Sequence, residues 1–403
     1  MDKMEFQRGN PQEDRPKRIA QKKKRRKWLA LVLVALVAVT AVVTALLWDA
    51  TEFDGLRRKL IYAKAEKDET GCVTLYRYPS EKDSCFALLE GSLVRGSTQS
   101  VAVFGEDGTT RYSADVKWRK AAVCANEKTA VVYDVGGTDI YVLSARGLVR
   151  HMQMGGEIIA CTINEKNMLA VTVNKSGYKA SVEVYSADGE KVFAFHSSDR
   201  FLMSAAVAQS GKQMAAVTMS QTEGEFLSSL VIYELTGTEP VLDAAMRVDG
   251  AYDLGAVYDL GTVGQYWCAV GENGLLFLTT DGKKMTTTAY YDFEDTYLRR
   301  CALSDDFATV LLGRHKSGMQ ARLVTVDEDG LVLGEVDVER EVLSVSAAGR
   351  YVAVLYSDEL VIYDRTLQVC ARLSHVSSAK RVLMRADGSA VLVGADSAKL
   401  YLP

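Results

Sequence analysis

Val101 to Gly108 reads VAVFGEDG, a short apolar run that ends in an acidic turn closed by glycine. β-Branched and aromatic residues suit a half-buried pleated strand, and Asp-Gly supplies the positive φ of a tight hairpin turn. Six further octets align with it without gaps: IYVLSARG ending at Gly147, VEVYSADG at Gly189, LVIYELTG at Gly237, LLFLTTDG at Gly282, LVTVDEDG at Gly330 and LVIYDRTL at Leu367. Gly108 and Leu367 lie 259 residues apart over six intervals, about 43 residues each. That is the repeat length of a β-propeller blade.

A near-continuous apolar run precedes most octets, as in AVVYD from Ala130, LAVTV from Leu169 and YVAVL from Tyr351. Such runs suit strands buried on both faces. Each is reached from a further strand through a short polar turn, and each octet leads into a more polar one, which predicts four antiparallel strands per unit. After Leu367 the next octet falls on KLYLP, Lys399 to Pro403, so the last unit lacks its outer strand. The isolated run CVTLYRY, from Cys72 to Tyr78, is placed to supply it and close the ring, which removes exposed sheet edges. The octets predict an all-β propeller of about eight four-stranded blades over residues 71–403. Seven is the alternative if the weakly patterned segment Ser80 to Gly96 is not a blade of its own.

Upstream the pattern is of another kind. Trp28 to Trp48, WLALVLVALVAVTAVVTALLW, is 21 residues without a charge, with Thr40 and Thr44 as its polar breaks. At 1.5 Å per residue it covers roughly 30 Å, the hydrocarbon thickness of a bilayer, with a tryptophan at each interface. The cluster Lys22, Lys23, Lys24, Arg25, Arg26 and Lys27 precedes it, and Asp49, Glu52 and Asp54 follow. The positive-inside bias therefore puts residues 1–27 in the cytoplasm and the rest outside, as a single-pass signal anchor, with the basic cluster also attracting anionic lipid. A cleaved signal peptide would have a shorter apolar core and a small-residue cleavage site. Ala38, Ala41 and Ala45 mark a stripe for homodimerisation through the helix. Residues 49–70 carry Phe53, Leu56, Leu60 and Ile61 at helical spacing, which predicts an amphipathic stalk.

Charge narrows the function. Residues 1–27 hold eleven Lys and Arg against four Asp and Glu, a net of +7, so a chain of net −4 carries −11 beyond them. An acidic outer domain argues against nucleic acid. The seven cysteines are an odd number: Cys124, Cys161 and Cys301 read as small buried hydrophobes in repeated strands, and Cys72 with Cys85 is the pair to consider for a disulfide. His151, His196, His315 and His375 are scattered without metal-ligand spacing. The acidic turns GEDG, SADG and DEDG lack the spacing of a calcium loop and read as hairpin turns. No dinucleotide, P-loop or nucleophile-elbow motif is present, so no catalytic, cofactor or metal residue is assigned.

Two segments exceed the repeat. QTEGEFLSS from Gln221 lengthens one hairpin, and VDGAYDLGAVYDLG from Val248 enlarges one connection between blades. Long loops on a rigid scaffold carry binding roles, which makes Gln221, Glu223, Glu225, Phe226, Tyr252, Asp253, Tyr258 and Asp259 the candidate binding residues.

The basic tail, the single helix and the propeller-like outer domain, with GSLVRGSTQSVAVFGEDG from Gly91 as the most telling segment, resemble uncharacterised Gram-positive membrane proteins grouped as a domain-of-unknown-function family. In repeat form the chain is also similar to WD40-like and quinoprotein-like propellers. It lacks the Gly-His and Trp-Asp signatures of the first, and with Trp118 and Trp267 alone in the domain it lacks the tryptophan pattern of the second. The expected function is a cell-surface module, its propeller outside the membrane, that binds an envelope protein or polysaccharide. The alternative is an extracellular glycan-active hydrolase or lyase with carboxylates in the propeller channel.

Overall fold

The chain divides into two units, Met1–Ala63 and Lys64–Pro403. The computed structural model describes residues 72–403 except 106, 223–224, 246, 249–251, 281–284 and 316–317. The expected cytoplasmic tail, the helix Trp28–Trp48 and the stalk 49–70 lie outside the described residues. Among the described residues no helix is long and apolar enough to cross a membrane.

Eight four-stranded antiparallel sheets follow one another, with one extra two-stranded ribbon. The octets are the third strands, counted outward from the axis, and the apolar runs before them are the second strands. Blade one consists of Cys85–Leu89, Ser92–Gly96, Ser100–Phe104 and Thr110–Asp115, so the segment Ser80 to Gly96 does contribute a blade. In blade eight, Arg381–Met384, Ala390–Val393 and Ser397–Tyr401 are joined on the outside by Cys72–Arg77, whose register pairs Cys72 with Tyr401 and Arg77 with Ser397. The ring therefore closes with both ends of the domain in one blade, and eight replaces the alternative of seven.

Four of the described octet turns share one geometry. The amides of Gly108, Gly189 and Gly330 donate to the carbonyls of Gly105, Ser186 and Asp327 at 2.9, 2.9 and 3.1 Å, with glycine φ of 75°, 81° and 74°. The octet without glycine keeps the turn: Leu367 takes φ 58° and its amide donates to Asp364 O at 3.0 Å. A left-handed leucine costs about 1 kcal/mol, and burial of its side chain at 5% exposure offsets that cost.

The core lies between blades. Phe277, Val270, Val310 and Leu312 are sealed between blades five and six, and Leu230, Ile232, Leu276 and Leu278 between four and five. Side chains also bridge one repeat to the next. Thr162 Oγ1 donates to Ala205 O at 2.7 Å, Asn164 Nδ2 to Ala208 O at 2.9 Å and Ser304 Oγ to Gly349 O at 2.7 Å, spans of 43, 44 and 45 residues. The repeat length read from the octets is thus also the length over which neighbouring blades bond.

Cys161 and Cys268 are buried between blades, and Cys124 and Cys301 are half-buried against the same clusters, as expected of small hydrophobes. The pairing of Cys72 with Cys85 is not formed. Cys72 packs between blades seven and eight, whereas Cys85 packs between one and two, and its thiol donates to Gly96 O at 3.5 Å.

Candidate functional site

In a four-stranded antiparallel blade, the turn between second and third strands and the connection to the next blade emerge at the same face. Both segments that exceed the repeat are of these two kinds, so they share one face, here the connection face. The other holds the remaining turns and is the turn face. In blade four the second and third strands, Gln213–Thr222 and Glu225–Glu234, run ten residues each and pair Gln221 with Phe226 and Thr222 with Glu225. Gln221 is exposed. Beyond the hairpin, Arg247–Val248 and Tyr252–Asp253 form the two-stranded ribbon in the connection to blade five. Glu223 lies outside the described residues.

That connection is pinned on both sides. Ser228 Oγ, on the long hairpin, donates to Gly255 O at 3.2 Å, and the amide of Glu272, in blade five, meets Leu254 O and Ala256 O, both at 2.8 Å. Leu254 is buried at 1% exposure, and Gly271 faces its carbonyl so closely that a β-carbon there would lie 2.4 Å away. The chain then enters the innermost strand Val257–Val263.

That strand does not pair smoothly with its neighbour. Five consecutive blades, three to seven, break register at the start of the innermost strand, at Ile159, Met203, Tyr258, Arg299 and Leu343. A bulge of this kind bends the strand and re-aims one side chain. In blade five it turns Tyr258 outward at 54% exposure, and in blade three Ile159 at 44%. In blade six Arg299 instead holds the adjoining loop, donating to His315 O at 2.9 Å and Gly318 O at 2.7 Å.

The exposed large apolar residues fall into two groups. Leu148, Val149, Val192, Leu331, Val332 and Val369 lie on or beside outermost strands. Ile159, Tyr178, Phe201, Tyr258, Tyr297 and Met319 all lie on the connection face, in blades three to six. The Lys179 ammonium sits 5.3 Å from the Phe201 ring centre, and Tyr178 stacks on His196 at 4.7 Å. The sequence singled out Tyr258 of this group but not Ile159, Phe201 or Tyr297, because one apolar residue opening an apolar strand carries no signal of exposure. Beside Tyr297 a groove of about 390 Å³, lined by Thr296, holds Glu294, Arg314, Arg322, Asp337 and Glu339.

Asp259 follows Tyr258 on the innermost strand. The residue is exposed, and loss of solvent around its carboxyl raises its pKa against the pull of the Leu260 amide, which donates to Oδ1 at 2.8 Å. At the turn face, carboxyls from separate blades feel one another. Glu165 is raised by burial and then by Glu127 and Asp305, and Asp305 by burial and then by Asp306 and Glu127. These residues end the innermost strands of blades two, three and six. The four histidines lie on separate elements, and no cluster of three His, Cys, Asp or Glu among the described residues could hold a metal.

A model of a family of unknown function, DUF5711, matches residues 70–393. No curated protein is significantly similar in sequence. Among solved structures the fold is similar to BamB from Moraxella catarrhalis, at 13% identity and TM-score 0.53, over 82% of this chain and 100% of that one. It is also similar to the C-terminal WD40 domain of Sif2, at 9% identity and TM-score 0.57, over 82% and 98% of the two chains. Sqt1 from Chaetomium thermophilum, bound to the N-terminus of ribosomal protein L10, matches at 13% identity and TM-score 0.57, over 82% and 99%. At these identities the likeness establishes the propeller fold.

Proposed function

The chain belongs to the family of unknown function DUF5711, and from that premise and the geometry above we propose that it is a membrane-anchored propeller whose connection face docks an envelope protein. The observation that carries this is the row of exposed apolar side chains contributed by blades three to six at one end of the channel. Elsewhere among the described residues, the exposed large apolar side chains lie on or beside outermost strands. Apolar surface gathered at one place and rimmed by charge is what a protein interface needs. Sqt1, of the same fold, is seen holding the N-terminus of another protein, which supports a protein over a polysaccharide as the partner.

Anchoring rests on Trp28–Trp48 and on Lys22 to Lys27, which face the cytoplasm and its anionic lipid in this reading. The strand Cys72–Arg77 begins at the turn face, where Cys72 pairs with Tyr401. The helix keeps the propeller at the outer surface of the cell membrane and raises its effective concentration there.

The test is a photo-crosslinking residue placed at Phe201, at Tyr258 and, for comparison, at Lys212 on the turn face, each in full-length protein in native membranes. Adducts to one or two envelope proteins from the first two positions and not from Lys212 are expected. Adducts from Lys212 alone, or from none of the three, would sink the proposal.

A second reading, a glycan-active hydrolase or lyase, is favoured by Glu165 and Asp305 at the turn face, whose carboxyls are both held above their usual range by burial and then by neighbouring acids, as a general acid of glycosidic chemistry requires. Release of sugar from an envelope polysaccharide screen, lost in Glu165→Gln, would establish it; no release would remove it.

A further inference from the structure

Asp259 is placed unlike three carboxylates of the connection face that each hold a cation. Arg200 pairs with Asp243 at 2.6 Å, Arg340 with Glu359 at 2.6 Å and Arg119 with Glu157 at 3.1 Å. Among the described residues Asp259 has no such cation, and the amide of Leu260 is its sole hydrogen-bond donor. The two guanidiniums of the neighbouring innermost strand are turned elsewhere. Arg299 is spent on His315 O and Gly318 O, and Arg300 donates to Leu343 O in blade seven at 3.4 Å. The other groups that feel Asp259 are the thiols of Cys268 and Cys301, both uncharged.

A carboxylate on a pinned strand with no counter-ion beside it is costlier to keep ionised than a paired one, and the cost falls when a cation arrives. Its surroundings suit a cation on a carbon stem rather than a bare ion. Tyr258 precedes it at 54% exposure, and Phe201 opens the innermost strand of the preceding blade at the same face. Aromatic faces attract an ammonium or guanidinium, and apolar residues cover the methylene stem. The outer part of the chain carries −11, which steers a basic partner toward it.

We propose that the connection-face mouth receives a lysine or arginine side chain of an extended partner segment, with Asp259 as its counter-ion and Tyr258 as its aromatic wall. This rests on the reading of that face as the protein-docking face. The long hairpin of blade four and the pinned connection at Leu254–Ala256 hold the approach to Asp259 in place, so the site is formed before the partner binds.

The test uses full-length protein in detergent micelles, immobilised, and four pools of short sequence-randomised peptides with blocked ends, whose central residue is Lys, Arg, norleucine or Glu. Retention is read by mass spectrometry at neutral pH and physiological salt. The Lys and Arg pools are expected to exceed the norleucine pool by at least about tenfold, and the preference to vanish in Asp259→Asn. That variant keeps the side-chain shape and removes a charge that folding does not use, so its melting temperature is expected not to fall. Equal retention of the four pools, or a preference that survives Asp259→Asn, overturns the proposal. If retention is equal but lost in Tyr258→Ala, the counter-ion is wrong and the docking face stands. If no pool is retained, both fall.

Discussion

Glu81 and Arg95 form an ion pair at 3.1 Å with the arginine side chain 2% exposed, at the place where the last blade meets the first. Arg95 also donates to Pro79 O at 2.9 Å and lies 5.2 Å from the ring centre of Tyr78, and Ser97 Oγ bonds the Glu81 carboxylate. Glu81 belongs to the segment that crosses from the outer strand of blade eight to the inner strand of blade one. The pair therefore fastens the ring at its closure.

Breaking one half of this pair leaves a buried charge uncompensated. Arg95→Met is expected to lower stability by about 3–5 kcal/mol, while adding Glu81→Leu to the same chain recovers much of the loss. Chemical denaturation of both variants reads the difference. A single variant as stable as the parent would show that the junction is held by something else.

Tyr76 secures the same junction from the outer strand. It is 1% exposed, and its hydroxyl donates to Gly91 O in blade one at 2.7 Å. Tyr76→Phe removes that bond for about 1 kcal/mol, and Tyr76→Ala also opens a cavity for about 3–5 kcal/mol. Equal melting temperatures for the two variants would contradict the closure described here.

The carboxyls at the turn face give a pH signature. Glu165 holds its proton more tightly in the folded chain, through burial and then Glu127 and Asp305. A raised folded-state pKa on an acid means that the penalty is absent below the unfolded value, sets in as pH climbs through the raised one and persists at neutral pH. Glu165→Gln is therefore expected to melt no lower than the parent at neutral pH, and slightly higher, with the gain fading in acid. A clear loss at neutral pH would mean that the glutamate is stabilised by its surroundings.

The octets were legible because the third strands are largely apolar and most close on glycine, and ring closure followed from one missing outer strand and one spare. Blade one was hard to see for a physical reason. Its second strand, Ser92–Gly96, carries Arg95, and a charge breaks the apolar pattern although Glu81 neutralises it in the fold. The segment from Gly91 that suggested the family resemblance contains this latch. Tyr258 and Asp259 were singled out by the length of their segment. Ile159 was not, because its exposure depends on a register break that no local pattern states. The influence of Glu127 and Asp305 on Glu165 is a product of closure, since blades two and six come together only around the axis.

Thiol reactivity tests the packing between blades. Burial pushes Cys85 and Cys301 up to about 11 and Cys124 up to about 12, and Cys161 and Cys268 are raised as well. Cys370 is the exposed cysteine. Since the thiolate is the reactive form, alkylation of native protein at neutral pH is expected to modify Cys370 first, and the buried positions after denaturation. Comparable native rates at Cys161 or Cys268 would show that the blades separate readily.

Gly271 connects the scaffold to the candidate site. A β-carbon there would lie 2.4 Å from Leu254 O and 2.6 Å from Leu254 Cδ2, and the backbone oxygen has no room to retreat while it accepts from the Glu272 amide at 2.8 Å. Gly271→Ala must therefore push the connection that delivers Tyr258 and Asp259. Overpacking of this kind costs about 1–3 kcal/mol, and here the displacement falls four residues before Tyr258. The variant is expected to lose the preference for Lys and Arg peptides while its blades still form. Hydrogen exchange would show faster exchange at Glu272 and Leu260 against an unchanged blade one. A variant with parental exchange at both amides would mean that the connection moves independently of the strand it feeds.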